Sequence, residues 1–282
     1  MAERVRIAGR KDMPDSSVLS LWRYPVKSMQ GEEINSSRVT EKGLFGDRAY
    51  ALMDAEDGKT VTAKNPKKWP QMFKFRAAFD QPMDTLGGVP PVWIMTPDGE
   101  MLSSRQAGLD AVLSARLGRA VVLAGQPPEK PHLDEYWPDD VPGLAHSDTV
   151  TDEATLENTF FDLAFLHILS TATLEALRAA YPAGRFEARR FRPNILVDAG
   201  TEDFAENAWI GKTIAIGAEV RLAITGPCPR CVMTTLAQAD LPKDPGILRA
   251  AVQQNGANVG IYAEVLQTGT IRQGDRIRVE EA

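Results

Sequence analysis

Cys228-Pro-Arg-Cys231 holds both cysteines of this 282-residue chain, three positions apart. By spacing alone the pair could be a thiol–disulfide couple, half of a zinc site, a single metal-ligating thiolate, or ordinary core cysteine. Zinc fits worst. A closed zinc site needs four nitrogen or sulfur ligands, and His132, His146 and His167 show no ligand spacing and lie well upstream. A redox pair usually opens a helix within a βαβ unit, whereas Val232-Met-Thr-Thr235 contains β-branched residues and reads as non-helical. Metal thiolate and core cysteine remain. Burial is the common fate of a free cysteine; against it, the neighbouring Arg230 favours the thiolate that soft metals require.

Arg189-Arg190-Phe191-Arg192-Pro193-Asn194 crowds three guanidinium groups into six residues of an acidic chain. They can be a solvated basic edge. Arginine is also the side chain shaped to grip a phosphate in two parallel hydrogen bonds, and the Asn194 amide can both donate to and accept from a heterocycle edge. Ser170-Thr171 reads as a helix start, where free N–H groups and the positive end of the dipole attract an anion. A phosphate-bearing ligand would suit all three. In the N-terminal half, Lys27 and Ser28 follow a strand and Asp47-Arg48 forms a second charged pair; Lys27 taken alone reads as a surface residue. Trp69, Trp93, Trp209, Met72 and Phe73 read as core or interface fillers.

The elements that must position these groups are mainly β. Val18–Tyr24 favours a strand that Pro25 stops. Arg48–Met53 and Val92–Met95 are further strands, each closed by an Asp-Gly turn. Leu109, Val112, Leu113 and Leu117 recur at helical spacing up to Gly118, and a short strand follows over 120–123. Gly125 to His146 is rich in Pro, Asp and Glu without a period, as a connection or surface lobe is, so the domain boundary is placed there. Beyond it come a strand over 165–169, a helix that must end by Pro182, and strands at 195–197, 218–224 and 276–279. Short strands with glycine turns suggest a barrel.

Composition bounds the rest. The length suits two domains, 43% hydrophobic and 25% charged residues describe an ordinary globular chain, and the net charge of -6 argues against a nucleic-acid surface. Met1 to Ser17 lacks the apolar core of a signal or anchor and reads as a loose tail. No apolar stretch approaches the roughly 20 residues that span a bilayer. Two cysteines three positions apart cannot build a disulfide framework or an iron–sulfur cluster, so a cytoplasmic, reducing location is expected.

Taken together, Leu21-Trp-Arg-Tyr-Pro-Val-Lys-Ser28 with Gly46-Asp-Arg48 resembles the N-terminal β-barrel module of MOSC proteins. Phe191-Arg-Pro-Asn-Ile195, Cys231-Val-Met-Thr-Thr235 and Gly269-Thr-Ile-Arg-Gln-Gly-Asp275 resemble the MOSC domain itself. The resemblance implies a mainly β fold with some α: an N-terminal β-barrel-like module over 16–130, and a MOSC β-barrel with flanking helices over 145–282. It also implies a molybdenum–molybdopterin cofactor. Cys231 would ligate the metal, and Lys27, Ser28, Arg48, Ser170, Thr171, Arg192, Asn194 and, more weakly, Arg190 would contact the pterin and phosphate. The implied activity is that of the amidoxime-reducing relatives, reduction of N-hydroxylated small molecules. The chain ends just after the last barrel strand, so electrons would come from a separate ferredoxin- or flavin-type donor protein. The alternative is a carrier in which Cys231 holds the cofactor, or a persulfide sulfur, without turnover.

Overall fold

The computed structural model describes residues 16–81, 88–144 and 146–280. The N-terminal half runs β1 (Ser16–Arg23), β2 (Glu32–Ile34), β3 (Ser36–Thr40), β4 (Gly43–Leu44), β5 (Ala51–Asp54), β6 (Arg76–Phe79), β7 (Val92–Met95), β8 (Met101–Ser103), α1 (Leu109–Leu117) and β9 (Val121–Ala124). A hairpin of β10 (His132–Trp137) and β11 (Thr149–Ala154) follows. The C-terminal half runs β12 (Leu166–Ser170), α2 (Thr171–Ala180), α3 (Ala188–Phe191), β13 (Ile195–Asp198), β14 (Thr213–Ile216), β15 (Val220–Pro229), α4 (Gly246–Asn255), β16 (Asn258–Gln267), β17 (Gly269–Arg272) and β18 (Arg276–Glu280).

Seven strands close into a barrel in the order β13, β12, β16, β15, β14, β18, β1, with β1 returning to pair with β13 and β2 added beside β1. Closure leaves no open ladder edge around the barrel, which an open seven-stranded sheet would present to other chains. The interior is aliphatic, with Leu21, Ile168, Ile195, Val197, Leu222 and Ile261 fully buried. β12 is buried at every position and runs parallel to β13, as expected of a strand covered on both faces. Helices α2 and α4 cover one outer face through Leu174, Leu177, Ile247 and Ala251.

A second core, with Leu52, Trp69, Met72, Phe75, Ile94 and Leu113 at its centre, holds the N-terminal module together. Two small sheets, β5–β9 and β6–β7–β8, wrap around it. Helix α1 ends where expected, at Gly118 with φ 72°, a conformation that costs glycine little. Strand β1, read from the first motif of the sequence, is a stave of the C-terminal barrel. No helix among the described residues is long and apolar enough to cross a membrane.

Several expectations need correction. Gly125 to His146 is not a bare connection, because it contains β10; the Asp and Glu that looked like loop composition make cross-module ion pairs, Lys59 to Asp134 at 2.6 Å and Lys64 to Glu135 at 3.0 Å. The strand expected from Arg48 starts only at Ala51, since Arg48 sits at φ 48°. Val232–Thr235 forms one 3-10 turn directly after Cys231, stabilised locally by the Thr235 hydroxyl donating to the Val232 carbonyl at 2.8 Å. Trp93 is 40% exposed, so of its two readings, core or interface, the core one fails. Of the supposed tail, residues 1–15 lie outside the described residues, whereas Ser16 and Ser17 open β1.

Candidate functional site

A cleft of about 210 Å³ opens where the N-terminal module, the β10–β11 hairpin and the barrel meet. Cys231 lines it at the end of the segment that leaves β15, and so do Lys27, Ser28, Arg48, Arg192 and Asn194. Six of the nine expected residues are therefore brought together by four separate stretches of chain. The sulfur-bearing residue is partly exposed rather than sealed in the core.

The backbone is unusual where these residues sit. Ser28, Arg48 and Arg192 all adopt left-handed conformations, with φ of 62°, 48° and 54°. A side chain held there costs about 1–2 kcal/mol per residue, and such cost persists where the surrounding structure fixes it. Tyr24 is the common support. Its ring packs under both guanidinium groups, at 4.5 Å from Arg48 and 4.1 Å from Arg192, and its hydroxyl donates to the Pro193 carbonyl at 3.1 Å. Burial pushes the Tyr24 phenol up to about 12, so it stays neutral.

Asp47 is the second support. Its carboxylate accepts from the Tyr24 backbone N–H at 2.8 Å, from the Asn194 amide at 2.8 Å and from Arg48. Asn194 also donates to the Trp22 carbonyl at 3.3 Å and accepts from the His167 N–H at 3.1 Å. Its amide is thus committed to joining the first strand to the barrel, and its role at the cleft is to hold the Asp47–Arg48 pair in place. Arg192 donates to the Met29 carbonyl at 2.6 Å, and among the described residues it forms no ion pair with a carboxylate. Burial together with the nearby Arg48 lowers its guanidinium to about 10, as expected for a charge awaiting a counter-ion.

Lys27 corrects the surface reading. It is 5% exposed, and its ammonium donates to the Phe160 carbonyl at 2.6 Å and to Asp162. Burial lowers its pKa, with Asp162 opposing. Lys64 lies between Asp162 and Glu135, at 3.3 and 3.0 Å; burial would lower it, but these carboxylates and the Cys231 sulfur hold it well above the usual lysine range. Asp162 is correspondingly held low by the two lysines, against the effect of burial. Lys64, Glu135, Asp162, Arg230 and Tyr262 are lining residues that the motifs did not single out as site residues. Arg230 stands beside Cys231 in the motif and was read only as its neighbouring cation; the other four are isolated charges or phenols in their own stretches of sequence, and only the tertiary fold brings them to the cysteine.

Ser170, Thr171 and Arg190 are not brought to the cleft. The Ser170 hydroxyl caps α2 by accepting from the Thr173 N–H at 3.0 Å. The place at that helix start expected to attract a phosphate is taken by the fully buried Glu206 carboxylate, which accepts from the Ser170 hydroxyl and, at 2.7 Å, from that of Thr173. Arg190 is completely buried and donates to the carbonyls of Arg185, Thr234, Leu236 and Pro242 at 2.8 to 3.3 Å. It clamps the turn that follows Cys231. Arg189 faces outward onto Glu187 and Asp240.

Arg230 acts on the cysteines differently from the sequence expectation. Its Nη1 donates to the Cys228 sulfur at 2.7 Å and its Nη2 to the Phe191 carbonyl at 2.8 Å. Burial would raise the fully buried Cys228 thiol, but Arg230 and His167 draw it down to about 6. Cys231 moves the other way, pushed up to about 12 by burial and by Glu135, with Lys64 and Arg230 opposing. A metal ion would supply the positive charge that releases the Cys231 proton, since coordination deprotonates a thiol outright.

The chemistry of the cleft is that of an anion site beside a thiol. Five cations, Lys27, Arg48, Lys64, Arg192 and Arg230, face two carboxylates, Glu135 and Asp162, in a chain of net charge -6. The Nε of Arg230 is buried without a protein acceptor. Among the described residues no three His, Cys, Asp or Glu side chains come together to hold a metal ion by themselves.

Two family models match the chain. The model of the MOSC domain matches residues 155–278 and that of the MOSC N-terminal beta barrel domain matches residues 16–107. The chain is 28% identical over 248 residues to mitochondrial amidoxime-reducing component 1 of Homo sapiens, covering 78% of this chain and 66% of that protein. It is 24% identical to mitochondrial amidoxime reducing component 2 of Rattus norvegicus, over 97% of this chain and 86% of that one. A molybdenum cofactor sulfurase of Oryza sativa subsp. japonica is 26% identical over 82% of this chain and 30% of its own length. The matched stretch is thus just under two thirds of the human relative and under a third of the rice one. Among solved structures, the YUAD protein from Bacillus subtilis aligns over 95% of this chain and 96% of its own with a TM-score of 0.48 and 13% identity.

Proposed function

Because the chain belongs to the MOSC family, we propose that its cleft holds a molybdenum–molybdopterin cofactor and that the protein reduces N-hydroxylated small molecules with electrons from a separate donor protein. The observation that carries this reading is the partly exposed Cys231 beside a surplus of cations in one cleft. The residues present fit the group. One thiolate without companion ligands suits a metal whose other ligands belong to the cofactor, and the unpartnered Arg230 Nε and the carboxylate-free Arg192 suit its phosphate. The amidoxime-reducing and cofactor-sulfurase names of the relatives support the same assignment.

In this proposal Cys231 is the metal ligand, Lys27, Arg48 and Arg192 hold the phosphate, and Ser28 offers its hydroxyl beside them. Asn194 and Arg190 act as positioning residues, and Ser170 and Thr171 carry α2 rather than the ligand. When bound, the cofactor would supply a metal centre able to take up two electrons, which with two protons from solvent would reduce the N–O group and release its oxygen as water. The chain's own part is to fix that group, exclude bulk water with Phe160, Phe161 and Trp137, and keep charge balanced through Lys64, Glu135 and Asp162. A reducing compartment that leaves both cysteines as thiols belongs to the same proposal. So does the division of the chain into a module over 16–130 and one over 145–282, although the first strands cross it, since Val18, Leu21, Val39 and Leu44 pack in the barrel core.

The test is turnover of a simple amidoxime by the full chain with a reduced viologen as electron source. The proposal expects activity in the parent protein and none in Cys231→Ala or Cys231→Ser, the serine variant staying folded. Full activity in either variant refutes the ligand assignment. If instead the parent protein shows no turnover and carries a persulfide on Cys231 by mass spectrometry, the carrier reading replaces the enzyme.

A further inference from the structure

Cys228 is the second cysteine of the motif, and the reaction proposed above gives it no task. It is fully buried at the end of β15, yet it also lies against the cleft that holds Cys231. Its sulfur accepts from Arg230, whose guanidinium is fixed on a second side by the Phe191 carbonyl and packs over the Phe191 ring at 5.8 Å. The Arg230 backbone is fixed as well, its N–H donating to the Ala257 carbonyl at 2.8 Å. Two of the three guanidinium nitrogens therefore have acceptors, and Nε, buried in the same wall, has none from the protein. Buried donors are rarely left this way. Among the described residues no carboxylate pairs with Arg230 that could swing in to supply one.

The floor beneath this group is rigid. Gly260 has φ 81°, and a Cβ there would stand 2.3 Å from Nε2 of His167 and 2.5 Å from the Ile168 carbonyl, so β16 presses directly on His167. Tyr262, two residues on, lines the cleft beside Cys228 and is kept neutral, its phenol raised by burial and by the Cys228 sulfur. Apart from Arg230, the groups that face Cys228 are thus His167 and Tyr262. Nothing else among them can fix the orientation of the guanidinium.

We propose that Cys228 is a positioning residue, its sulfur and the Phe191 carbonyl holding two nitrogens of Arg230 so that Nε donates to an anionic oxygen of the ligand in the cleft. This rests on the reading of the cleft as a phosphate-holding site. It explains why sulfur is used here: a carboxylate would seek both faces of the fork and turn Nε away, whereas a single sulfur engages one arm and leaves the rest.

The test uses the full chain produced without molybdate, with inorganic pyrophosphate as the probe in calorimetric titration. The parent protein is expected to bind. Arg230→Lys keeps the charge but loses the fork, and Cys228→Ala loses the anchor; each should weaken binding about tenfold, the scale of one charge-assisted hydrogen bond. Cys228→Ser, whose hydroxyl can still accept, should recover most of the loss. The double variant should bind no worse than Arg230→Lys alone, because both changes act through one contact. Melting curves accompany each titration, and the serine and lysine variants carry the test should the alanine variant fail to fold. Parent-like binding in Arg230→Lys, or additive losses in the double variant, would overturn the proposal. Absence of pyrophosphate binding by the parent would overturn it too, while leaving the metal-ligand role of Cys231 to be judged by activity and metal content.

Discussion

At the level of single residues, the site is built from side chains held in costly conformations by neighbours that do not line the cleft. Arg48 and Arg192 occupy left-handed backbone positions and share the Tyr24 ring as a platform. Replacing Arg48 therefore separates strain from binding. Arg48→Gly should be about 1 kcal/mol more stable than Arg48→Ala in urea unfolding, because only glycine occupies φ 48° without steric cost. Both variants should lose cofactor alike; equal stability of the two would contradict the strained reading. Ser170→Ala gives the opposite pattern. Losing the cap of α2 and the hydroxyl that donates to the buried Glu206 carboxylate should cost about 2–4 kcal/mol, while molybdenum content stays at the parent level because the cap lies outside the cleft. A depleted metal content in folded Ser170→Ala protein would return that residue to the ligand set.

At the level of elements, the turn after Cys231 depends on a single buried arginine. Arg190 satisfies four carbonyls, two of them, Thr234 and Leu236, in or beside that turn. Arg190→Met should destabilise the protein by about 3 kcal/mol or more, since it strands buried acceptors, and should loosen the cysteine enough to lower metal retention. A folded variant with parent metal content would show that the turn holds its shape unaided. Much of this architecture was legible beforehand. The periodic segments 109–117 and 171–180 are helices and the alternation at 220–224 lies in a barrel strand, because burial on one face leaves its period in the sequence. The remainder of β15 was not legible. Pro227 and Pro229 look like strand breakers, yet they sit where the ladder with β16 shifts register, which is where a sheet tolerates proline. Strand β10 was hidden for a related reason, its acidic residues being spent on Lys59 and Lys64 of the N-terminal module rather than on solvent. Cys231 and Arg192 were legible because they lie in dense local motifs, whereas Lys27 alone read as a surface residue and only the family resemblance set it beside them. Lys64, Glu135 and Asp162 were not, because their meaning lies in a triangle of charges drawn from three distant segments.

Across the whole molecule, the chain keeps a positive cleft inside a negative body. Anion binding should therefore weaken as salt rises, while nucleic acid gains no broad basic surface to follow. Asp162 couples this arrangement to stability. Its pKa is held below the ordinary carboxylate value in the folded protein by Lys27 and Lys64, so its contribution is present above the unfolded-state pKa of about 4 and is lost as pH falls below that toward the folded value. The urea midpoints of the parent protein and Asp162→Asn should thus differ at pH 6, and the gap should begin to narrow as the solution is acidified below about pH 4. A gap that is constant over this range would show that the two lysines do not discriminate the charged carboxylate.

The most direct measurement of the central claim is the molybdenum content of freshly purified protein made in cells that supply the cofactor. The account predicts stoichiometric metal in the parent chain and loss of that metal in folded Cys231→Ala. Parent protein without molybdenum, or a Cys231→Ala variant that keeps its full share, would contradict it.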